Sequence, residues 1–443
     1  MSSLKNTLLN IPANRDALLV DNTSISYKDI ENMINNNSTI IEKLKLSNVA
    51  INGRCRFEFA KLIFMLDGEV SSILFLPPDI DTSLHDRYYN ESDVNYEVYL
   101  ENDVLKYKLI AEVSEEKIVQ ETTWIIPTSG TTNTPKLVVH TYESLTRTTK
   151  NDVEVGLNYR WGLVFDIYRF SGIQVFLQAM LSGACLIISE SYYTMSEILN
   201  NLIKNKCNAL SATPSFWRKV MMSKEVSELD FKVITLGGEI ADKNILQSLK
   251  AKFSCAKVLH IYASTEAGVG FSVNDGCAGF PKAYLYNVVN GVTLKLSQTN
   301  TLMIKKDKQT QQYLSNNKLL YTDNGFIDTG DIVELRESRV YFLGRDSGAI
   351  NVGGNKVQPE EVEHTLLNSG FINAAFVYSK KNSIIGSIVC ADVVLKDKTS
   401  DTKILKSKIL KYCRENLENF KVPALIKFVD ELEITHSGKL KRS

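Results

Sequence analysis

Over its first 260 residues the chain alternates short apolar runs with stretches whose apolar residues recur at helical spacing. Val49–Ile51, Ile73–Leu76, Leu163–Phe165, Ala184–Ile188, Ala209–Ala212, Val233–Leu236 and Val258–Tyr262 read as strands. Phe57–Leu66, Ile173–Leu181, Glu197–Lys204, Phe216–Met222 and Asn244–Phe253 read as the helices between them. A strand buried on both faces is a continuous apolar run, and a helix that covers it is amphipathic. The alternation therefore predicts an α/β architecture, a mostly parallel sheet with helices on both faces. Ligands of such sheets sit beyond the carboxyl ends of the strands.

From about Gly291 the pattern changes to VTLKL, TLMIKK and KLLYT, short antiparallel strands around polar turns. The last hundred residues change again. Pro359–Leu367 reads as a helix opening Pro-Glu-Glu, favourable at a helix N-terminus. Ala374–Tyr378, Ile384–Val394 and Ile426–Val429 read as strands and Ile404–Leu417 as a helix. A small α+β domain is expected there, beyond a boundary near Arg345–Gly348. Tyr88–Lys117 is acidic and irregular and receives no assignment.

A length of 443 residues exceeds one hydrophobic core and points to two or three domains. Lys and Arg together number 51, as do Asp and Glu. That balance argues against a general binder of nucleic acid or of anionic membranes. Seven cysteines form no CxxC pair and five histidines lie far apart, which fits reduced thiols and no zinc site. MSSLKNTLLNIPANRD lacks the apolar run of a signal peptide. Gly172–Ile188, at about 17 residues marginal for a span, contains Gln174, Gln178 and Ser182 and reads better as a helix running into a buried strand. A cytoplasmic protein with no membrane span is expected.

The strand Thr123–Pro127 runs into Thr128-Ser129-Gly130-Thr131-Thr132-Asn133-Thr134-Pro135-Lys136. Small residues let backbone N–H groups approach an anion, hydroxyls add donors and Lys136 adds a cation, so this loop reads as a phosphate cradle or as a Ser/Thr-rich turn. It is not a Walker loop, because Pro135 and Leu137 replace the Gly and Ser/Thr that motif needs. Two later strands end in Gly237-Gly238-Glu239 and in Tyr262-Ala263-Ser264-Thr265-Glu266. A glycine pair admits a flat ring, an aromatic covers it and Glu266 suits a hard cation; two tight turns with a capping acid are the alternative. Asp331, in Asp328-Thr329-Gly330-Asp331, is either an acceptor for ribose hydroxyls or a turn aspartate.

Taken in order with Gly344–Glu363 (GRDSGAINVGGNKVQPEEVE) and Thr435–Ser443 (THSGKLKRS), these segments resemble the adenylate-forming superfamily of acyl- and aryl-CoA synthetases, peptide-synthetase adenylation domains and beetle luciferases. The resemblance runs from Asp21-Asn22-Thr23-Ser24-Ile25-Ser26-Tyr27 to Lys439. It implies a large N-terminal domain of parallel α/β sheets with a small β-barrel-like part, about 1–345, and a small mobile α+β domain, about 346–443. It implies attack of a carboxylate on the α-phosphorus of ATP, with loss of pyrophosphate, then displacement of AMP by a thiol. ATP, Mg²⁺ and CoA, or the phosphopantetheine of a carrier protein, are the implied cofactors.

Residue by residue, the resemblance implies that Thr128, Ser129, Gly130, Thr131, Thr132 and Lys136 hold the pyrophosphate end. Gly237, Gly238, Glu239 and Tyr262 would line the adenine slot. Thr265 would contact the α-phosphate and Glu266 would help hold magnesium. Asp331 would take the ribose hydroxyls with Arg345 nearby. Lys439 would bridge carboxylate and α-phosphate, and Gly353 and Gly354 would let pantetheine pass. Three departures from the pattern are Ala263 for a more usual Gly, Ser347 at the hinge and Glu433 where Pro is common.

The same resemblance implies an acid pocket at Phe165-Asp166-Ile167-Tyr168-Arg169-Phe170-Ser171-Gly172, with Phe165, Tyr168, Arg169 and Gly172 as candidates. Many CoA ligases carry an aromatic-His pair where Tyr168-Arg169 stands. Arg169 would pair with a second anionic group on a small carboxylic acid, or else bond Asp166 or a backbone carbonyl. The expected activity is acyl- or aryl-CoA ligation. The alternatives are loading of an acyl carrier protein and, from another class, nucleotide binding without turnover or an adenylate-using oxygenase.

Overall fold

The structure is a computed structural model and describes residues 3–8, 10–113, 121–128, 136–307, 312–314, 324–382, 386–397 and 402–433. The α/β part is built on two sheets. One has eight strands in the order Gly268–Val273, Lys257–Ser264, Val233–Gly237, Ala209–Ala212, Arg160–Leu163, Cys185–Ile188, Asp16–Val20 and Thr23–Ser26. Its six inner strands are parallel and both edges antiparallel. The other has seven strands, with Thr123–Pro127, Ser72–Phe75, Asn48–Ile51 and Tyr96–Glu101 parallel at its centre.

Two helices explain why there are two sheets. Arg56–Leu66 (RFEFAKLIFML) and Phe170–Leu181 (FSGIQVFLQAML) are buried nearly all round. A helix apolar on every side needs cover on every side. Both share one core with strand residues of each sheet, such as Leu163 and Leu186 of the first and Val49 and Trp124 of the second. Phe64 and Phe176 meet edge to face with ring centroids 5.2 Å apart. Each such side chain contributes about 1.5–3 kcal/mol by burial. Gly172–Ile188 thus proves to be a buried helix leading to the strand Cys185–Ile188. No helix among the described residues is long and apolar enough to cross a membrane.

One buried ionic network fixes the entry to the first of these helices. Cys55 offers no side-chain cap. Glu190 supplies it instead, accepting from the Arg56 and Phe57 backbone N–H groups at 2.9 and 3.0 Å. Arg56 in turn pairs its Nη2 with Asp166 Oδ1 at 2.7 Å.

A five-stranded antiparallel sheet follows, in the order Phe280–Pro281, Arg339–Arg345, Ile327–Arg336, Thr301–Lys306 and Val292–Leu296, around its own core. KLLYT falls at 318–322, outside the described residues. After the short turn Asp346–Gly348, residues from Ile350 onward pack on a separate core. That core joins the helices Pro359–Asn368 and Thr402–Asn416 to the sheet Ile372–Asn382, Gly386–Leu395 and Leu425–Phe428. The hairpin Ile350–Val352/Asn355–Val357 turns on Gly353 and Gly354, both at positive φ (57° and 92°), as a two-residue primed turn requires.

Two expectations need correction. The strand expected at Leu163–Phe165 lies at Arg160–Leu163, because the apolar run continues past its last ladder pair with Ile188 as a buried loop. Within Tyr88–Lys117 the structure has the end of a helix, His85–Glu91, and the hairpin Tyr96–Glu101/Val104–Leu109. Asn102 and Asp103 turn that hairpin at φ 51° and 62°. Its outer face is solvated, so its alternation is carried by few apolar residues.

Candidate active site

Four segments far apart in sequence meet at one cleft of ≈ 2040 Å³. Three leave carboxyl ends of parallel strands. Thr128 follows Thr123–Pro127, Gly237–Glu239 ends Val233–Gly237, and Tyr262–Glu266 ends Lys257–Ser264. The fourth, Asp331 with Arg345, comes from a neighbouring pair of strands in the antiparallel sheet. All of these residues line the cleft.

Thr128 and Lys136 close the loop between them. The Thr128 N–H donates to the Lys136 carbonyl at 2.8 Å, and the Lys136 N–H donates to Thr128 Oγ1 at 3.1 Å. Ser129, Gly130, Thr131 and Thr132 lie outside the described residues, as does Lys439. Gly238 has φ 80°, a conformation that L side chains rarely adopt. The chain can turn sharply there, and Glu239 then reaches back to accept from the Ser215 N–H at 2.9 Å, closing the first turn of the helix Pro214–Met222.

Tyr262 is held on three sides. Its ring stacks with Phe342 at 5.0 Å and 5° and with Phe271 at 5.3 Å and 14°. Its hydroxyl donates to Asp331 Oδ2. Arg345 Nε donates to the other oxygen, Oδ1, at 2.9 Å. Burial, and after it the Asp331 charge, pushes the Tyr262 phenol far above its ordinary range, so it stays a donor. Asp331 is thus held at both carboxylate oxygens, in a fixed orientation at the cleft. Among the described residues no three His, Cys, Asp or Glu side chains gather as a metal cage. Glu266 stands at the cleft as a carboxylate that could share a cation with a bound phosphate, the usual manner for magnesium.

The acid-pocket candidates divide. Phe165 and Arg169 line the cleft. Tyr168 instead belongs to the core, 4% exposed, with its ring 5.2 Å from Phe59. Gly172 serves packing: a Cβ there would lie 2.1 Å from the Asp166 carbonyl oxygen. Arg169 does not bond Asp166, whose carboxylate Arg56 already holds. It pairs with Asp79, Nη2 lying 2.9 and 3.1 Å from the two oxygens. Gly353 and Gly354 are absent from the cleft wall, whereas Glu431, Leu432 and Glu433, which lead toward Lys439, form part of it. Sequence reading missed Lys306 and Arg147, two cations in the wall. Both sit outside every motif, and only the tertiary fold places them there.

The fold and the cleft define an α/β enzyme that works beyond strand carboxyl ends. The family model described as AMP-binding enzyme matches residues 67–318, and the one described as AMP-binding enzyme C-terminal domain matches residues 361–439. The chain belongs to the AMP-binding enzyme family.

A curated relative, 2-succinylbenzoate–CoA ligase of Listeria innocua, is 26% identical over 377 residues, 77% of this chain and 76% of the relative. Oxalate–CoA ligase of Saccharomyces cerevisiae is 24% identical over 385 residues, 79% of this chain and 69% of that one. Among solved structures, an anthranilate CoA ligase in complex with anthranoyl-AMP superposes with TM-score 0.78 at 16% identity, covering 99% of this chain and 95% of that one. The o-succinylbenzoate CoA synthetase of Bacillus subtilis with its acyl-adenylate gives 0.71 at 19% identity, covering 99% and 97%.

Proposed function

We propose that this chain is an AMP-forming acid–thiol ligase. It joins a carboxylic acid to the α-phosphate of ATP, releases pyrophosphate, and passes the acyl group to the thiol of CoA. The observation that carries this reading is the meeting of Thr128, Gly237–Glu239, Tyr262–Glu266, and Asp331 with Arg345 around one cleft. Bringing a carboxylate to a polyanion is a problem of positioning and of fixed positive potential, and these groups supply the positioning.

In this reading Asp331, braced by Tyr262 and Arg345, receives the ribose hydroxyls, and the backbone of Gly237–Glu239 lies along the adenine. Thr265 contacts the α-phosphate. Ser129, Gly130, Thr131, Thr132 and Lys136 take the pyrophosphate end with Thr128. Glu266 would hold Mg²⁺, which when bound supplies charge neutralisation between phosphate oxygens. Lys439 reaches the α-phosphate and the acid. Domains of 1–345 and 346–443 are supported by the separate core beyond Asp346–Gly348. With Glu431–Glu433 at the cleft and Gly353–Gly354 away from it, the arrangement suits the first half-reaction. Rotation about Asp346–Gly348 would exchange the two for the second.

The acids of the named relatives, 2-succinylbenzoate and oxalate, are the first candidates as substrate, and a carrier-protein pantetheine is the other thiol to try. ATP–pyrophosphate exchange tests the first half-reaction alone: acid-dependent exchange is expected. Tight nucleotide binding with no exchange for any acid would contradict the proposal.

A further inference from the structure

Lys306 ends the strand Thr301–Lys306 and is 4% exposed. Its Nζ is closed off from solvent and has no hydrogen-bond partner among the described residues. Beside it, Arg147 donates to the carbonyl oxygens of Asn290 and Val269, and Asp307 is the acid that acts on Arg147. On another side is His140, fully buried, with Nδ1 3.3 Å from Ser144 Oγ and its ring 5.5 Å from that of Phe170. Burial drives His140 down to about 3, so it brings no charge at neutral pH. Lys306, Arg147, Ser144 and Phe170 all line the cleft.

The corner lies away from the pyrophosphate end. Lys136 closes the Ser/Thr/Gly loop, and the strand Leu137–His140 then runs from it toward His140, about 13 Å at strand rise. Phe170 opens the helix that follows the acid-pocket segment. In the ligase reading the corner is therefore at the acid's end of the cleft. A lone buried ammonium is disfavoured unless an anion joins it, and an apolar side chain would fill the same space without that penalty. Burial, and after it Arg147, lowers Lys306 to about 7, so an arriving anion would find an amine ready to take a proton. The flexible stem lets the amine swing toward the cavity.

We propose that Lys306, backed by Arg147, is the subsite for a second anionic group, a carboxylate carried by the acid substrate away from its reacting end. This rests on the ligase reading above. It also reassigns the role that Arg169 would have had, since Asp79 already neutralises that side chain.

The test is ATP–pyrophosphate exchange by wild type and Lys306→Met with two matched pairs: 2-succinylbenzoate against 4-oxo-4-phenylbutanoate, and adipate against hexanoate. Wild type should favour the diacid of at least one pair by about ten- to a hundred-fold in kcat/KM. Lys306→Met should erase that preference by raising the diacid KM at least about ten-fold more than it raises the monoacid KM. In wild type alone the diacid KM should rise as pH passes 7. Lys306→Arg should retain the preference, and Lys306→Gln replaces the Met variant if that one does not fold. Preference for the monoacids, or a Lys306→Met enzyme with unaltered preference, overturns the subsite and leaves the ligase reading standing. No exchange with any of the four acids overturns the subsite and counts against the ligase reading as well.

Discussion

Arg345 and Asp331 face each other across paired strands, Nε to Oδ1 at 2.9 Å, and their register makes them direct neighbours. The Tyr262 hydroxyl binds the remaining oxygen. A carboxylate clamped this way keeps its orientation before any ligand arrives. Asp331→Asn keeps the shape and removes the charge. It should raise the KM for ATP by about ten- to a hundred-fold while leaving the KM for the acid within about two-fold. Steady-state kinetics with each substrate varied in turn will show it, and equal effects on both would place Asp331 elsewhere.

Lys439→Ala should separate the half-reactions. Adenylation, read as pyrophosphate exchange, should fall by at least about a hundred-fold, the scale for loss of a donor to developing charge. Transfer from supplied acyl-AMP to CoA should persist. Equal loss of both would remove Lys439 from the proposed role.

Gly354→Val should do the reverse. At φ 92° a β-branched residue strains the hairpin, although nothing lies within 4 Å of the new Cβ. A stability loss of about 1–2 kcal/mol is expected, with exchange kept and thioester formation slowed. Slowed exchange would show that the hairpin serves the first step instead.

Two arginines near the acid pocket should behave oppositely. Arg56→Leu leaves Asp166, 1% exposed, without its cation, and should cost about 3–5 kcal/mol in urea unfolding. Arg169→Ala breaks a pair in which Asp79 is 45% exposed, and should cost less than about 1 kcal/mol. It should also leave the acid KM within about three-fold. A large KM effect at Arg169 would return the second-anion role to it.

Lys306 also predicts an unusual pH dependence of the unliganded protein. Its amine titrates near 7 when folded and near 10.5 when unfolded. Between those values the unfolded chain holds the extra proton, so this group makes stability rise with pH. The slope it adds is up to about 1.4 kcal/mol per pH unit. The stability difference between wild type and Lys306→Met, from urea titrations at pH 7, 8.5 and 10, should therefore shift in favour of wild type. A difference independent of pH would mean that Lys306 is solvated or paired.

Much of this was legible in the sequence because it is local. Ala209–Ala212, Val292–Leu296 and Thr301–Lys306 form strands at the residues their apolar runs mark. The loops that build the cleft follow strands whose apolar runs are equally plain. What could not be read is what depends on distant pairing. Nothing local says that Asp16–Val20 pairs with Cys185–Ile188, or that the strands divide into two sheets. Tyr168 and Gly172 fit a pocket motif, yet packing against Phe59 and the Asp166 carbonyl claims them. Lys306 is one lysine among many until the fold closes over it.

The central claim is that one cleft makes an acyl-adenylate and hands it to a thiol. Mass spectrometry of a single reaction tests it most directly, with the protein, ATP, Mg²⁺, CoA and a mixture of short, aryl and dicarboxylic acids. The account predicts AMP, not ADP, together with one dominant acyl-CoA. ADP as the nucleotide product, or unchanged ATP with every acid, would contradict it.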